Sequence, residues 1–167
     1  MDKKFKTLGE LIIKLVSAIH RDLGPGFTES VYQGALGIEL RKYNISYLKE
    51  MSFEIFYKKQ PAGTGRLDFF INDKKLPNVI IETKSLDALS NGARSQIGSY
   101  LKSAPNNNHE ELQNTKYGIL INWPGAVVDE DNNFLLTNKD PEIEFFVRED
   151  KKVRQVQIWN YYLKDKN

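Results

Sequence analysis

The sequence predicts a single α/β domain, and three observations carry that expectation. The chain has 167 residues, 40% of them hydrophobic, enough to bury over half of the surface its unfolded form exposes. Two segments with helical apolar spacing open the chain, and alternating or compact apolar segments follow. Helical and strand patterns are interleaved rather than segregated, so helices should flank one sheet.

The first helix is expected over Leu8 to Leu23, where Leu8, Leu11, Ile12, Leu15, Val16 and Ile19 recur on one face. Gly24-Pro25-Gly26 breaks that pattern. A second helix begins near Thr28, a residue type suited to an N-cap, and runs to about Tyr43 with Val31, Tyr32, Ala35, Leu36 and Leu40 inward. Ser52 to Lys58 alternates as a strand, and Gly63-Thr64-Gly65 reads as the turn after it. Arg66 to Ile71 and Val79 to Lys84 form a strand pair, joined by the loop Asn72 to Asn78. Arg94 to Ser103 supplies a third helix, with Ile97, Tyr100, Leu101 and Ala104 inward. Pro105 to Asn114 is polar and Asn-rich, as in a mobile surface loop with room for one helical turn. Tyr117 to Ile121 is a compact central strand, and hairpins about Glu130 to Asn133 and Asp150 to Lys152 close the chain.

Composition narrows the chemistry. Without cysteine there are no disulfides, thiolate zinc sites or cysteine nucleophiles, and two histidines, His20 and His109, cannot build a multi-histidine centre. A bound metal would need oxygen ligands, which favours magnesium, manganese or calcium. No apolar run exceeds three residues, so no membrane span is expected, and the basic start Met-Asp-Lys-Lys-Phe-Lys lacks a signal core. A cytoplasmic protein is the expectation. The balance of 24 Lys and Arg against 22 Asp and Glu argues against a bulk cationic coat on nucleic acid, and leaves a local basic groove open.

The strand pair is the informative feature. If its connection is a symmetric antiparallel hairpin centred on Lys75, paired residue numbers sum to 150, setting Asp68 opposite Glu82 and Arg66 opposite Lys84. Strict alternation puts Leu67, Phe69 and Ile71 on one face and Arg66, Asp68 and Phe70 on the other. Opposed side chains have Cβ atoms about 5 Å apart, and two carboxylates that close repel unless a cation or a proton intervenes. A magnesium ion held by Asp68 and Glu82 would polarise a phosphoryl oxygen and lower the pKa of a water, with Lys84 on the same face offsetting developing charge. The bland alternative is a solvated face of surface ion pairs worth ~1 kcal/mol or less. Phe70 and Ile80 on that face tilt against it.

Asp68, thirteen intervening residues and Glu82-Thr83-Lys84 resemble the signature of the PD-(D/E)xK nuclease superfamily. Gly26-Phe27-Thr28-Glu29-Ser30-Val31-Tyr32 is similar to the G-x-x-E-x-x-Y motif of its GxxExxY branch. Ser95 to Leu101 and Gly118 to Asn122 agree in order, and the similarity spans roughly residues 8 to 123. The resemblance implies a restriction-endonuclease-like α/β core, a central mixed sheet flanked by helices. A β-rich extension over 124–167 would follow within the same single domain. It also implies a magnesium- or manganese-dependent nuclease acting on nucleic acid, with DNA the expected substrate. By the same resemblance Asp68, Glu82 and the Thr83 carbonyl would hold the metal, with Lys84 the catalytic lysine. Glu29 would face the metal directly or through water, and Gln96 would orient water or phosphate.

Each assignment has a plainer counterpart. Glu29 in a first helical turn complements the macrodipole, and Tyr32 and Tyr100 suit packing with a bonded hydroxyl. Arg66 and Arg94 are candidate phosphate contacts or ordinary surface arginines. The tail Val153 to Lys166 mixes Arg154, Lys164 and Lys166 with Trp159, Tyr161 and Tyr162, as in a stacking platform or a half-buried last strand. A catalytically silent binding module that kept the fold is the competing reading, and a homodimer stays an open option. A carboxylate-pair sugar hydrolase is a poor third, since Lys84 should depress the pKa of Glu82 where such an enzyme needs it raised.

Overall fold

The computed structural model describes residues 1–125, 127–128, 131, 134–135 and 139–158. Two helices open the chain: α1, Lys3–Leu23, and α2, Glu29–Lys42. The apolar stripe of α1 is buried from Phe5 through Ile19, and the Asp2 carboxylate caps its start by accepting the Lys4 N–H. Thr28 occupies the N-cap position of α2 without a side-chain cap bond; its hydroxyl meets that of Ser30 instead. Between the helices, Gly24 and Gly26 take φ of +72° and +98°, backbone that other residues enter only at a cost.

Three strands follow: β1, Tyr47–Tyr57, β2, Gln60–Ile71, and β3, Val79–Lys84. Helix α3, Asn91–Ser103, then crosses to β4, Tyr117–Asn122, which lies parallel to β3. Between α3 and β4 the Asn-rich segment folds as a 3-10 turn at Ala104–Asn106 and a single α-turn, α4, Glu110–Gln113. Asn107 is buried, and its side chain donates to the Glu54 carbonyl of β1, so this segment is anchored to the sheet.

The short pair β5, Val127–Val128, and β6, Phe134–Leu135, forms a separate two-stranded ribbon. Strands β7, Glu142–Glu149, and β8, Lys152–Val156, complete the six-stranded mixed sheet, ordered β1-β2-β3-β4-β7-β8. Past residue 124, β7 and β8 are thus part of the main sheet: Phe145 belongs to one core and Phe146 to the other. The expected hairpin at Asp150 is present, joining Glu149 to Lys152. Trp159, Tyr161, Tyr162, Lys164 and Lys166 lie outside the described residues.

The sheet separates two apolar layers. Helices α1 and α2 cover one face, with Tyr32 stacked on Trp123 at 5.1 Å between ring centroids. Helix α3 covers the other through Ala93, Ile97 and Leu101.

Two expectations about the β1–β2 hairpin need correction. Gly63-Thr64-Gly65 is interior to β2; the turn is Lys58-Lys59, both at positive φ and flanked by the Tyr57–Gln60 pair. Gly65 is glycine because its cross-strand partner Phe53 lies over it, leaving a Cβ only 2.5 Å from the Phe53 ring. Strict alternation also fails. Phe69 and Ile71 face the α1–α2 layer, whereas Leu67 joins Phe53 and Phe70 in the α3 layer. On β1, Tyr47 packs against the first layer, while Met51 and Ile55 pack against the second. The change of face falls at Glu50, at φ +55°, between the pairs Lys49–Phe69 and Met51–Leu67. A left-handed residue resets which side chains face which layer. Asp68 is the residue across from it.

Candidate active site

The β2–β3 ladder has the register read from the symmetric hairpin, Phe69–Ile81, Phe70–Ile80 and Ile71–Val79, and it stops there. Side chains continue the pairing where the backbones leave off. The Glu82 carboxylate accepts the Asp68 N–H through Oε1 at 3.3 Å, and Asp68 Oδ2 accepts the Thr83 N–H at 2.8 Å. Asp68 and Glu82 are therefore interlocked neighbours at the point where two strands part. The Thr83 N–H points toward β2, and in a strand the carbonyl of the same residue points the same way. It is aimed at the gap that Asp68 occupies.

A polar chain connects this gap to α2. The Thr83 hydroxyl lies 2.9 Å from Asp68 Oδ2 and 3.4 Å from Glu29 Oε1. Having one proton, it donates to the nearer aspartate. Gln33 Nε2 donates to Thr83 Oγ1 at 2.8 Å and to Glu29 Oε1 at 3.1 Å, spending both hydrogens. Gln33 and Thr83 are both buried, so these bonds lie where solvent competes little. The sequence reading missed Gln33. Its signal was present, four residues after Glu29 on one helical face, but a lone Gln there has no distinctive chemistry.

Tyr32 fixes the start of α2. Its hydroxyl donates to the Gly24 carbonyl at 2.7 Å and accepts the Phe27 N–H at 3.3 Å. This holds the glycine loop and sets the helix turn that presents Glu29. Tyr32 is a packing residue with a bonded hydroxyl.

Burial drives the electrostatics. Glu82 is 1% exposed, and its pKa is pushed up to about 8, first by desolvation and then by the charge of Asp68. Lys84 lowers it, but less than burial raises it. The expectation that Lys84 would dominate is thus overturned: loss of water outweighs one partly solvated ammonium. Glu29 is raised for the same two leading reasons, burial and then Asp68.

The donor set is hard oxygen. One oxygen each of Asp68, Glu82 and Glu29 holds a protein hydrogen bond. The second oxygen of each is not among the sealed, unpartnered atoms, which are His20 Nδ1, Trp123 Nε1 and Arg148 Nε. Two apposed carboxylates, one held up to about 8 by burial and by the other's charge, fit a divalent cation of the magnesium or manganese type. No group of three or more His, Cys, Asp and Glu is arranged for metal binding among the described residues. The fit thus rests on Asp68, Glu82 and the main chain of Thr83, with Glu29 behind the Thr83 hydroxyl.

The other predicted residues are placed as follows. Lys84 follows on β3 beside Asn122 of β4, its carbonyl bonded by the Trp123 N–H at 3.0 Å. Asn122 in turn clamps Leu86 through both its amide groups. Gln96 donates to the Tyr100 hydroxyl at 3.2 Å and is not hydrogen-bonded to the carboxylates. Tyr100 packs edge-on against Phe53. Arg94 is engaged by Glu144 in a fork, with contacts of 2.6 and 2.8 Å. Arg66 is exposed. Among the described residues, a shallow concavity along α3 against β7 and β8 and another at the β1–β2 tip do not contain the carboxylates.

Comparison with known proteins decides the family. The model of the PD-(D/E)XK nuclease superfamily matches residues 6–133. The chain belongs to the PD-(D/E)XK nuclease superfamily. The matched span begins within α1, ends at the residue preceding β6 and includes Glu29, Asp68 and Glu82-Thr83-Lys84. The mixed six-stranded sheet with flanking helices is the restriction-endonuclease-like α/β arrangement expected of such a member. Neither a curated protein nor a solved structure matches the chain significantly. No helix among the described residues is long and apolar enough to cross a membrane.

Proposed function

We propose that this superfamily member is a metal-dependent nuclease of the GxxExxY branch that hydrolyses phosphodiester bonds in DNA. The observation that carries the reading is the interlock of Asp68 and Glu82 at the end of the β2–β3 ladder, with Lys84 two residues past Glu82. A bound magnesium or manganese ion would supply Lewis acidity at the phosphoryl oxygen. Asp68 and Glu82 would hold that ion through their free oxygens, assisted by the Thr83 carbonyl. Glu29 acts through Thr83 or a water, and Gln33 keeps both in register. Lys84 meets the charge that grows on the phosphate. Arg66, exposed on β2, contacts a neighbouring phosphate; Arg94 would first have to leave Glu144. The G-x-x-E-x-x-Y stretch at Gly26–Tyr32 supports the branch assignment, since its Gly, Glu and Tyr all shape the site's α2 wall. We take the whole chain as one catalytic unit.

The test is cleavage of plasmid, single-stranded DNA and RNA with magnesium, manganese or chelator. DNA cleavage that disappears with chelator and in Lys84→Ala and Asp68→Asn is the expected result, a loss of at least ~100-fold. Nucleic-acid binding without cleavage of any substrate would replace this reading with a silent binding module.

A further inference from the structure

The distal β1–β2 hairpin, residues 51–67, extends past the point where β2 leaves β3: only Phe69–Ile71 of β2 pair with that strand. Lys58 lies just past the end of β1, eight residues beyond Glu50, which sits across from Asp68, so at ~3.3 Å per residue the tip stands up to ~26 Å along the hairpin from Asp68. Charge is concentrated here. The segment carries Lys58, Lys59 and Arg66 against the single acid Glu54, a net +2 that equals the net charge of the entire chain.

The turn itself is chemically unexpected. Two-residue hairpin turns with both φ values positive favour Asn-Gly, because side chains with a full Cβ are strained there. This turn places Lys58 at φ +47° and Lys59 at φ +66°. Both lysines are exposed, and the Lys58 ammonium lies 5.3 Å from the ring centroid of Tyr57, itself 66% exposed. The tip also has a built neighbour. Phe56, Lys58 and Lys59 line a concavity of about 420 Å³ with Asn106 and Asn108, and the buried Asn107 between those two pins the segment to β1. Lysines, amides and an exposed aromatic ring form a surface suited to a sugar–phosphate backbone. A strained pair of cations where Asn-Gly would fold better indicates a role outside folding.

We infer that the Lys58–Lys59 tip, with Tyr57, Asn106 and Asn108, is a second nucleic-acid contact that grips the phosphate backbone of the substrate away from the scissile bond. This rests on the nuclease reading for its substrate class and adds how the substrate is held. The tip contributes affinity and register without touching the reacting atoms.

The test compares Lys58→Asn/Lys59→Gly with Lys3→Gln/Lys4→Gln, which removes the same charge from the start of α1. Binding to a mixed-sequence duplex is measured against salt concentration, with calcium in place of magnesium. Removing two phosphate contacts should make the slope of log affinity against log salt shallower by about 1.8. The same variant should melt at a higher temperature than the wild type, because the turn is relaxed. The Lys3/Lys4 variant should keep the wild-type slope. Equal slope changes in the two variants, or none in the tip variant, overturn the tip contact while leaving the nuclease reading intact. Failure of the wild type to bind any nucleic acid sinks both, and lower thermal stability in the tip variant would reassign the lysines to folding.

Discussion

Gln33 is the residue on which the site's geometry turns. Its single amide nitrogen holds Thr83 and Glu29 at once, and Thr83 holds Asp68. Removing the amide while keeping the bulk, as in Gln33→Leu, leaves Glu29 without its best donor and frees the Thr83 hydroxyl to turn. Groups that orient metal ligands from behind typically contribute 10–100-fold in affinity. Gln33→Leu should therefore bind manganese roughly tenfold more weakly, with the fold retained. Cation titrations followed by thermal shift and by calorimetry read this directly. Unchanged affinity would show that Asp68 and Glu82 hold their positions through the backbone alone. The apposition of Asp68 and Glu82 was legible in the sequence because a symmetric loop fixes the β2–β3 register, even though the two-residue alternation fails at Asp68 itself. Gln33 was not, since its partner Thr83 lies fifty residues away. Nor was the raised pKa of Glu82, because desolvation depends on how α2, α3 and β2 close around it.

The element that decides the site's position is the β1–β2 hairpin, and the decisive residue in it is Glu50. The alternation expected of β2 fails at Asp68, and on β1 Tyr47 faces the first layer while Met51 faces the second, because Glu50 adopts φ +55°. Nothing local announces this: glutamate is a poor occupant of left-handed backbone, and glycine would be the expected signal. Glycines misled in the other direction, since Gly63 and Gly65 resemble a turn while Gly65 makes room for the Phe53 ring. The strain at Glu50 is open to measurement. Glu50→Gly should raise stability by up to ~1 kcal/mol, relief of the left-handed penalty being only partly offset by a freer unfolded chain. Glu50→Val, which resists that conformation, should lower it by ~1–2 kcal/mol and also reduce metal affinity, because Asp68 sits across the distortion. Denaturant midpoints with cation titrations distinguish the two effects. If Glu50→Val destabilises the fold but leaves metal affinity unchanged, the distortion belongs to packing alone.

At the scale of the whole molecule, two acids with raised pKa values couple folding to pH and to metal. Glu82 ordinarily titrates near 4.5 and is held up to about 8 in the folded, metal-free protein; Glu29 is raised as well. Between those values the folded state keeps a proton that the unfolded chain has released. Stability then falls as pH rises across that window and levels off above about 8. Full stability from this source is present below pH about 4.5, the opposite sign from a salt-bridged carboxylate. The magnitude is on the order of a few kcal/mol. A divalent cation reverses the trend, because it binds the deprotonated carboxylates and replaces the proton with a stronger counter-charge. With chelator, the melting temperature should therefore fall from pH 5 to pH 8, and saturating magnesium or manganese should raise it most at the alkaline end. Glu82→Gln removes the titrating group while keeping its shape, so it should flatten the metal-free profile and abolish most of the cation response. The difference between wild type and Glu82→Gln isolates this site from every other titrating group in the chain. A metal-free difference profile that is flat or rises with pH would mean that Glu82 is already charged in the folded protein. The paired carboxylates would then be held by Lys84 and their hydrogen bonds, with no need for a cation.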